Sequence, residues 1–501
     1  MRLSGIQSTR LSHHVPRRFR PLPAQDADIV PSSLRKTLEA HRSSNRARLI
    51  RKVYPRTPAT GLLRPWIPLE NRAGYRPPEP LGTPLEESER SSKKPSGKRR
   101  TRKRIPETNA SSPQNTHIIP IRYAEDITEQ NPWIDFLASD YAIGDASTHL
   151  DAEIQAFDRY LTPTPHEQAP ISQLNDKIAS LLRSVAPHPP KLIGSHYTGL
   201  AQAHSDLHFL LPFEDIPRSR HQPRGPSATR PQIRDAHTTL LCRVESTLQS
   251  HDMFSGQVKW AGKGKSVLEA RHQPTGLLLR FHCGETVPAL SEYIRVQLPK
   301  YPALRPLYNS TRSLLESRGL FGLTQGNLGP EPLAILILAF LKMKQPGLSG
   351  SHRLGDHFLA FLKFYGSDIN LQSSGIAVEP SGVFGADILR HSSPGEDTEP
   401  AHRRGQRSLI GAKRTASAKG NSPADRRLCI QDPTQYMNDL GRSCTRTPEL
   451  QQVLSTAYER LSYACDTWEG RDMHGSILTA AIQANFDGLV ALRKRLVCPV
   501  D

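Results

Sequence analysis

Acidic residues are missing from the first 25 positions, which carry Arg2, Arg10, Arg17, Arg18 and Arg20 among several Ser and Thr before Asp26 appears. That composition suits a mitochondrial presequence over residues 1–25, a plain basic terminus being the other reading. Cysteine pairs are missing too. Cys242, Cys283, Cys429, Cys444, Cys465 and Cys498 form no CxxC and no zinc-type spacing. Their scatter implies no disulfide framework and suits a reducing compartment. Apolar residues are scarce, at 36% of 501, with 43 prolines and a mean hydropathy of −0.52. A chain so composed leaves part of itself unpacked. Long hydrophobic runs are absent as well: the longest, Leu333 to Leu341, is too short to span a bilayer and reads as a buried helix.

Positive charge is abundant. The formal net charge is +18 and the pI near 9.8, which favours a polyanionic partner or an acidic surface. Much of the excess sits in a Pro-, Arg- and Ser-rich stretch, 26–130, read as disordered apart from a basic amphipathic helix over Ser32 to Val53. Its densest run, Lys93 to Arg104, fits a nuclear address, an RNA-binding arm or a solvated linker. The nuclear address competes with the mitochondrial one, and the sequence leaves both open.

Order begins near Pro132-Trp133-Ile134. Apolar spacing predicts helices over Leu150 to Leu161 and Ile171 to Val185, with Thr162-Pro163-Thr164-Pro165 breaking between them. Gly194-Ser195 is a turn opening onto a short helix. The run from Ser205 to Pro212 alternates as a half-buried strand, and Gln232 to Gln249 is helical. Val258–Trp260, Val267–Ala270 and Gly276–Cys283 read as strands. Helical patterns follow at 292–298, 304–318, 333–344, 355–365, 447–463 and 476–496. The fold class is α+β in two lobes. Helices at 131–186 lead into and pack on a small mixed sheet with helices at 187–300. A helical lobe over 301–392 and 428–497 follows, interrupted by a disordered basic insertion at 393–427.

The residues resemble a family. Gly194-Ser195-x-x-Thr198-Gly199-Leu200 with Ser205-Asp206-Leu207 is similar to the nucleotidyltransferase palm of poly(A) and poly(U) polymerases, in the DNA polymerase β superfamily. Glu153 to Thr164, Tyr301 to Leu307 with Arg318-Gly319-Leu320, and Leu362 to Gly366 resemble its flanking helices. Leu428-Cys429-Ile430-Gln431-Asp432-Pro433 with Asn438 to Ser443 follows its "LCIxDP … NDVGRS" ending. The resemblance implies a palm over 187–300 and a poly(A)-polymerase-associated helical lobe. It also implies two magnesium ions held by three carboxylates, which activate an RNA 3′-hydroxyl against a nucleoside triphosphate.

On that pattern Asp206 is the retained carboxylate and the one metal ligand of an active enzyme. His208 and Arg280 stand where the second and third carboxylates are expected. Gly194 and Ser195 are placed against phosphate, with a folding turn as the other reading. Arg312 and Glu316 fall where two lysines usually face the phosphates. Glu331 falls where a base-stacking tyrosine is expected. A guanidinium beside Asp206 repels divalent cations and supplies no ligand, and magnesium prefers hard oxygen donors. Glu285, five residues past Arg280, falls on the opposite strand face. Asp206, His208 and His282 are a second candidate set, for a transition metal, against simple hydrogen bonding. Cys283 has no basic partner and reads as packing.

Three functions follow as expectations. The first is an RNA-associated protein with an impaired active site and no cofactor, partnered by RNA and a possible second protein. The second is an active polynucleotide adenylyltransferase using Mg²⁺ or Mn²⁺ with ATP. The third is a scaffold that does not meet nucleic acid. Arg218, Arg220, Arg224, Arg230 and Arg234 are candidates for RNA phosphates, without the interleaved aromatics that read bases.

Overall fold

The computed structural model describes residues 121–123, 130–137, 145–213, 230–254, 256–261, 266–322, 326–344, 353–390, 399–421, 424–470 and 475–498. The presequence reading of 1–25, the helix at 32–53, the basic run 93–104, and Arg218, Arg220 and Arg224 lie outside these residues. For Arg230 only the backbone is described.

Helix α1 (Ala146–Leu161) opens on Asp145, whose carboxylate accepts from the Thr148 N–H. The Thr-Pro-Thr-Pro break then does two jobs. Thr164 caps α2 (Pro165–Leu181) in a full capping box with Glu167, and Pro165 fills its first turn. Next come β1 (Lys191–Ile193), the four-residue α3 (Ser195–Thr198), β2 (Leu207–Pro212) and α4 (Arg230–Gln249). Strands β3 (Val258–Ala261), β4 (Val267–Arg271) and β5 (Leu278–Gly284) complete a five-stranded sheet ordered β1-β2-β5-β4-β3. Only the β2–β5 pair is parallel, and α4 lies in the long crossover it requires.

Alternation decides what each sheet face does. Leu207, Phe209, Leu211, Leu268, Ala270, Leu279 and Phe281 point to one side and share a core with Ile171, Leu174 and Ile178 of α2 and Leu240, Leu241, Val244 and Leu248 of α4. The in-between residues His208, Glu269, Arg280 and His282 therefore stand on the other side, half-buried.

The helical lobe is built from α5 (Ala289–Gln297), α6 (Leu304–Ser317), α7 (Pro330–Lys344) and α8 (Leu354–Lys363). A β6–β7 hairpin (Gly375–Val378, Ser381–Phe384) and α9 (Ala401–Ala418) follow, then α10 (Thr447–Asp466), α11 (Thr479–Ile482) and α12 (Asp487–Val497). Leu333 to Leu341 of α7 are buried all round, as an apolar run without a polar face must be. Gly366 ends the LKFYG segment where a Cβ would sit 2.5 Å from the Ser455 backbone nitrogen of α10, so no side chain fits there.

Four expectations need correction. Within the span 393–427, expected to be a disordered insertion, 401–418 form α9, whose Leu409 and Ile410 are buried with Ala377, Phe384 and Cys429. Tertiary burial of one apolar stripe outweighs the polar, basic composition. Helix α1 does not pack on the sheet. Its Leu150, Ile154, Phe157 and Leu161 belong to the helical-lobe core, whereas α2 shares the core under the sheet with α4. The expected helix at 476–496 is broken at Gln483, which takes a left-handed φ of 43°. Its second part, α12, returns to the palm: Leu496 enters the sheet core, and the Arg493 guanidinium pairs with Glu167 of α2 at 2.5 Å. The β6–β7 hairpin was not expected at all.

Candidate functional site

A cleft of about 840 Å³ lies between the half-buried sheet face and the helical lobe. Gly194, Ser195, Asp206, His208, Glu269 and Arg280 line it from the palm. Arg312, Glu316, Glu331, Asn438 and Arg442 line it from the lobe. The structure thus brings Gly194, Ser195, Asp206, His208, Arg280 and Arg312 to one cleft. Gly194 takes φ +70°, which a residue with a Cβ adopts only under strain. That turn aims α3 so that Ser195 borders the cleft.

Strand register sets the rest. His208 sits opposite Arg280 across the parallel β2–β5 pair, and Glu269 sits opposite Arg280 across β5–β4. Asp206 immediately precedes β2 and reaches the same point. The Arg280 guanidinium consequently has two acidic partners. Its Nη1 donates to Asp206 Oδ2 in a very short contact, and its Nε donates to Glu269 Oε1 at 2.8 Å. The Arg280 side chain is 16% exposed, against 12% for Glu269 and 31% for Asp206. Although burial opposes it, the Arg280 hydrogen bond holds the Glu269 pKa below its ordinary value. Burial pushes Asp206 up, while Arg280, Arg312 and His204 pull it down.

Glu269 was not assigned a role from sequence. Its signal was present: Val267 to Arg271 alternates, placing Glu269 between buried Leu268 and Ala270, hence on the Arg280 face. Glu285 lies past the end of β5.

The two histidines pair with each other. His208 Nδ1 and His282 Nε2 are 3.2 Å apart and the rings stack at 5.3 Å, so one ring N–H donates to the other. Burial, then the neighbouring charges, lower His208 to about 3; burial, then Arg280, lower His282 to about 4. Both are neutral near pH 7. Among the described residues no group of three or more His, Cys, Asp or Glu is arranged to hold a metal ion. Cys283 is pushed up to about 12 by burial and stays a thiol.

On the lobe side, Arg312 is buried and committed to internal bonds. It donates to Ser205 Oγ at 3.0 Å and to Glu316 Oε2 at 3.3 Å. His204 Nε2 lies 3.1 Å from Glu316 Oε1. Against the cost of burial, His204 and Arg312 hold Glu316 down at about 2. Glu316, half-buried in the cleft wall, is therefore the neutralised member of a triad with Arg312 and His204 rather than a free charge. Glu331 accepts from Ser291 Oγ at 2.8 Å, and burial raises its pKa. Arg234 is exposed on α4.

The donor set does not fit two divalent cations. Asp206 and Glu269 are the carboxylates nearest the expected position, and Arg280 occupies both. Imidazole and guanidinium supply no hard oxygen.

No family model matches the chain. It is 24% identical over 321 residues to "Poly(A) RNA polymerase cid14" of Schizosaccharomyces pombe. That match takes in 62% of the chain and 40% of the relative, so the chain spans less than half the relative's length. Among solved structures, the polymerase core of TRAMP, described as an RNA surveillance complex, superposes with a TM-score of 0.53 at 18% identity. It covers 70% of this chain and 99% of that one. The mtPAP apo form gives 0.51 at 13% identity over 70% and 75% of the two chains. mtPAP with ATPγS gives 0.51 at 14% over 76% and 79%. The chain has the fold of a poly(A)-polymerase-like nucleotidyltransferase.

Proposed function

We propose that this protein is an RNA-associated member of RNA 3′-end metabolism whose nucleotidyltransferase cleft is catalytically silent. One observation carries the reading: Arg280 fills the cation position and is bonded to both Asp206 and Glu269. At about 4 Å and an effective dielectric near 20, a unit charge pair is worth roughly 4 kcal/mol, and a divalent ion meets twice that repulsion from a fixed guanidinium. The Arg312–Glu316–His204 triad adds support, because its one guanidinium is already spent internally. The names of the relatives, a poly(A) RNA polymerase and the core of an RNA surveillance complex, favour RNA as the partner class. The arginine-rich, acid-free residues 1–25 favour a mitochondrial location over a nuclear one. On this reading the protein takes no cofactor.

The test is extension of a labelled RNA oligonucleotide with each nucleoside triphosphate and Mg²⁺ or Mn²⁺. The expected result is no added nucleotide. Extension that disappears in Asp206→Ala sinks the silent reading and supports the second one, an active adenylyltransferase. Glu269 favours that alternative, since it offers a second carboxylate beside Asp206. RNA binding that is undetectable, or insensitive to salt, supports a scaffold without nucleic acid.

A further inference from the structure

Helix α9 carries cations that the cleft does not use. Its 18 residues contain Arg403, Arg404, Arg407, Lys413 and Arg414 and no acid. Lys413 is buried, with Nζ donating to the Leu371 carbonyl at 3.0 Å, and so belongs to the packed face with Gly405, Gln406, Leu409 and Ile410. The remaining cations lie beside that face. At 100° per residue, Arg403, Arg407 and Arg414 fall within about 40° of one another, with Arg404 about 100° round from Arg403. The stripe is about 16 Å long at 1.5 Å per residue.

Arg403, Arg404 and Arg414 are exposed and, among the described residues, enter no ion pair. Among the described residues the acids nearby are few. Glu399 is held by Arg407 at 2.8 Å, and Asp387 and Asp425 sit in the short turns packed against the helix. Exposed Arg390 and Arg426 stand in the same turns and balance them. The N-terminal end of α9 is fixed to the cleft wall. Gln431 Nε2 donates to the His402 carbonyl at 2.9 Å and to the Tyr436 carbonyl at 3.0 Å, and the chain then runs through Asn438 to Ser443 along the cleft.

A rigid row of unpaired guanidiniums anchored beside a cleft complements a linear polyanion. Guanidiniums match phosphate oxygens in a fixed fork, and such contacts position a strand without reading its sequence. We infer that the Arg403–Arg404–Arg414 edge of α9 is the docking track for the phosphate backbone of single-stranded RNA whose end approaches the cleft. This rests on the RNA-associated reading above and adds the surface to it.

The test uses the full chain with a fluorescein-labelled RNA of about 20 nucleotides, titrated from 50 to 200 mM KCl. Parent, Arg403→Glu/Arg404→Glu/Arg414→Glu, and the milder Arg403→Gln/Arg404→Gln/Arg414→Gln are compared at matched melting temperature. Each phosphate contact contributes about 0.7 to the salt slope of a single strand. The triple variants are therefore expected to flatten the slope by about 2 and to lose affinity about tenfold at 50 mM. Binding elsewhere, including at Lys93 to Arg104, is common to all three proteins and cancels. RNA carrying 4-thiouridine is expected to crosslink to peptides within 399–427 in the parent and not in the variants.

Binding by the parent with unchanged affinity and slope in both variants overturns the α9 assignment and leaves the RNA reading standing. No binding by the parent at 50 mM KCl overturns both. Displacement of the α9 crosslink by polyglutamate at lower charge concentration than by unlabelled RNA overturns it in favour of an acidic protein partner.

Discussion

Arg280→Ala isolates what the guanidinium does in the cleft. It removes the shared partner of Asp206 and Glu269 and leaves two carboxylates facing one point at 31% and 12% exposure. Each pair is worth roughly 4 kcal/mol gross at an effective dielectric near 20, and desolvation of both partners returns much of that. Partial exposure of Asp206 reduces the remainder further. The expected net loss is about 1–3 kcal/mol of stability at pH 7, read from urea unfolding. The pH dependence follows from Glu269. Its folded pKa lies below the ordinary 4.5 in the parent, so its contribution is present above about 4.5 and is lost as pH falls through the lower folded value. The gap between parent and variant should therefore narrow below pH 4.5. The freed carboxylates also form a divalent site: millimolar Mn²⁺ should raise the variant's melting temperature and leave the parent's unchanged. A variant as stable as the parent at pH 7, or one indifferent to Mn²⁺, refutes the assignment of Arg280 as a built-in cation.

Three further outcomes are expected. Glu316→Gln removes the carboxylate that neutralises buried Arg312, and should cost about 3 kcal/mol at pH 7. Because Glu316 is held at about 2, that cost should fade as pH drops from 4.5 toward 2, as measured by denaturation at each pH. Gly366→Ala drives a methyl group to 2.5 Å from the Ser455 nitrogen and should cost about 1–3 kcal/mol without altering RNA affinity. Glu153, fully buried with Oε2 accepting from Leu478 N–H at 2.7 Å, is raised by burial to about 7. A raised carboxyl favours folding below its unfolded pKa and loses that support as pH rises through the folded one. The parent should thus weaken by up to ~3 kcal/mol between pH 4.5 and 7, and Glu153→Gln should flatten that slope.

The palm was legible because its elements carry period-2 signals bounded by turn residues. Val258–Trp260 and Val267–Ala270 are strands of the observed sheet, and Gly276–Cys283 overlaps one that begins at Leu278. The meeting of Arg280 with Asp206 was implied by the family resemblance, which sets Arg280 at the position of a carboxylate on the neighbouring strand, and the β2–β5 register brings the two together. What sequence did not show was pairing across a third strand. Glu269 joins the site because β4 is antiparallel to β5 in one particular register, which local periodicity does not encode. Helix α9 was hidden for a different reason. Arg, Ser and Gly dilute its apolar stripe to Leu409 and Ile410, and the β6–β7 hairpin, Ile388, Leu389 and Cys429 supply the surface that buries it. The break at Gln483 was equally invisible, since it depends on a left-handed residue that is neither Gly nor Asn.

Several of the family-like residues of this chain find their partners within the protein itself, in backbone and side chain alike. Asp439 Oδ1 accepts from the Ile430 and Gly441 N–H groups at 3.0 and 2.9 Å, and Asp432 Oδ1 caps the turn at Thr434 and Gln435. Asn438 Nδ2 donates to the other Asp432 oxygen at 2.9 Å, so the two halves of the Leu428–Ser443 signature lock each other. Asp158 does the same between helices: it receives Arg305 Nη2 at 2.7 Å and Asn309 Nδ2 at 2.7 Å, joining α1 to α6. None of these bonds needs a metal or a nucleotide to be satisfied. At the cleft floor the opposite holds, because carboxylates gathered there repel one another until a cation arrives. Arg280 supplies that cation from within the chain. A palm that carries its own counter-ion keeps the cleft's shape without ligand, while the position a divalent ion would need is taken.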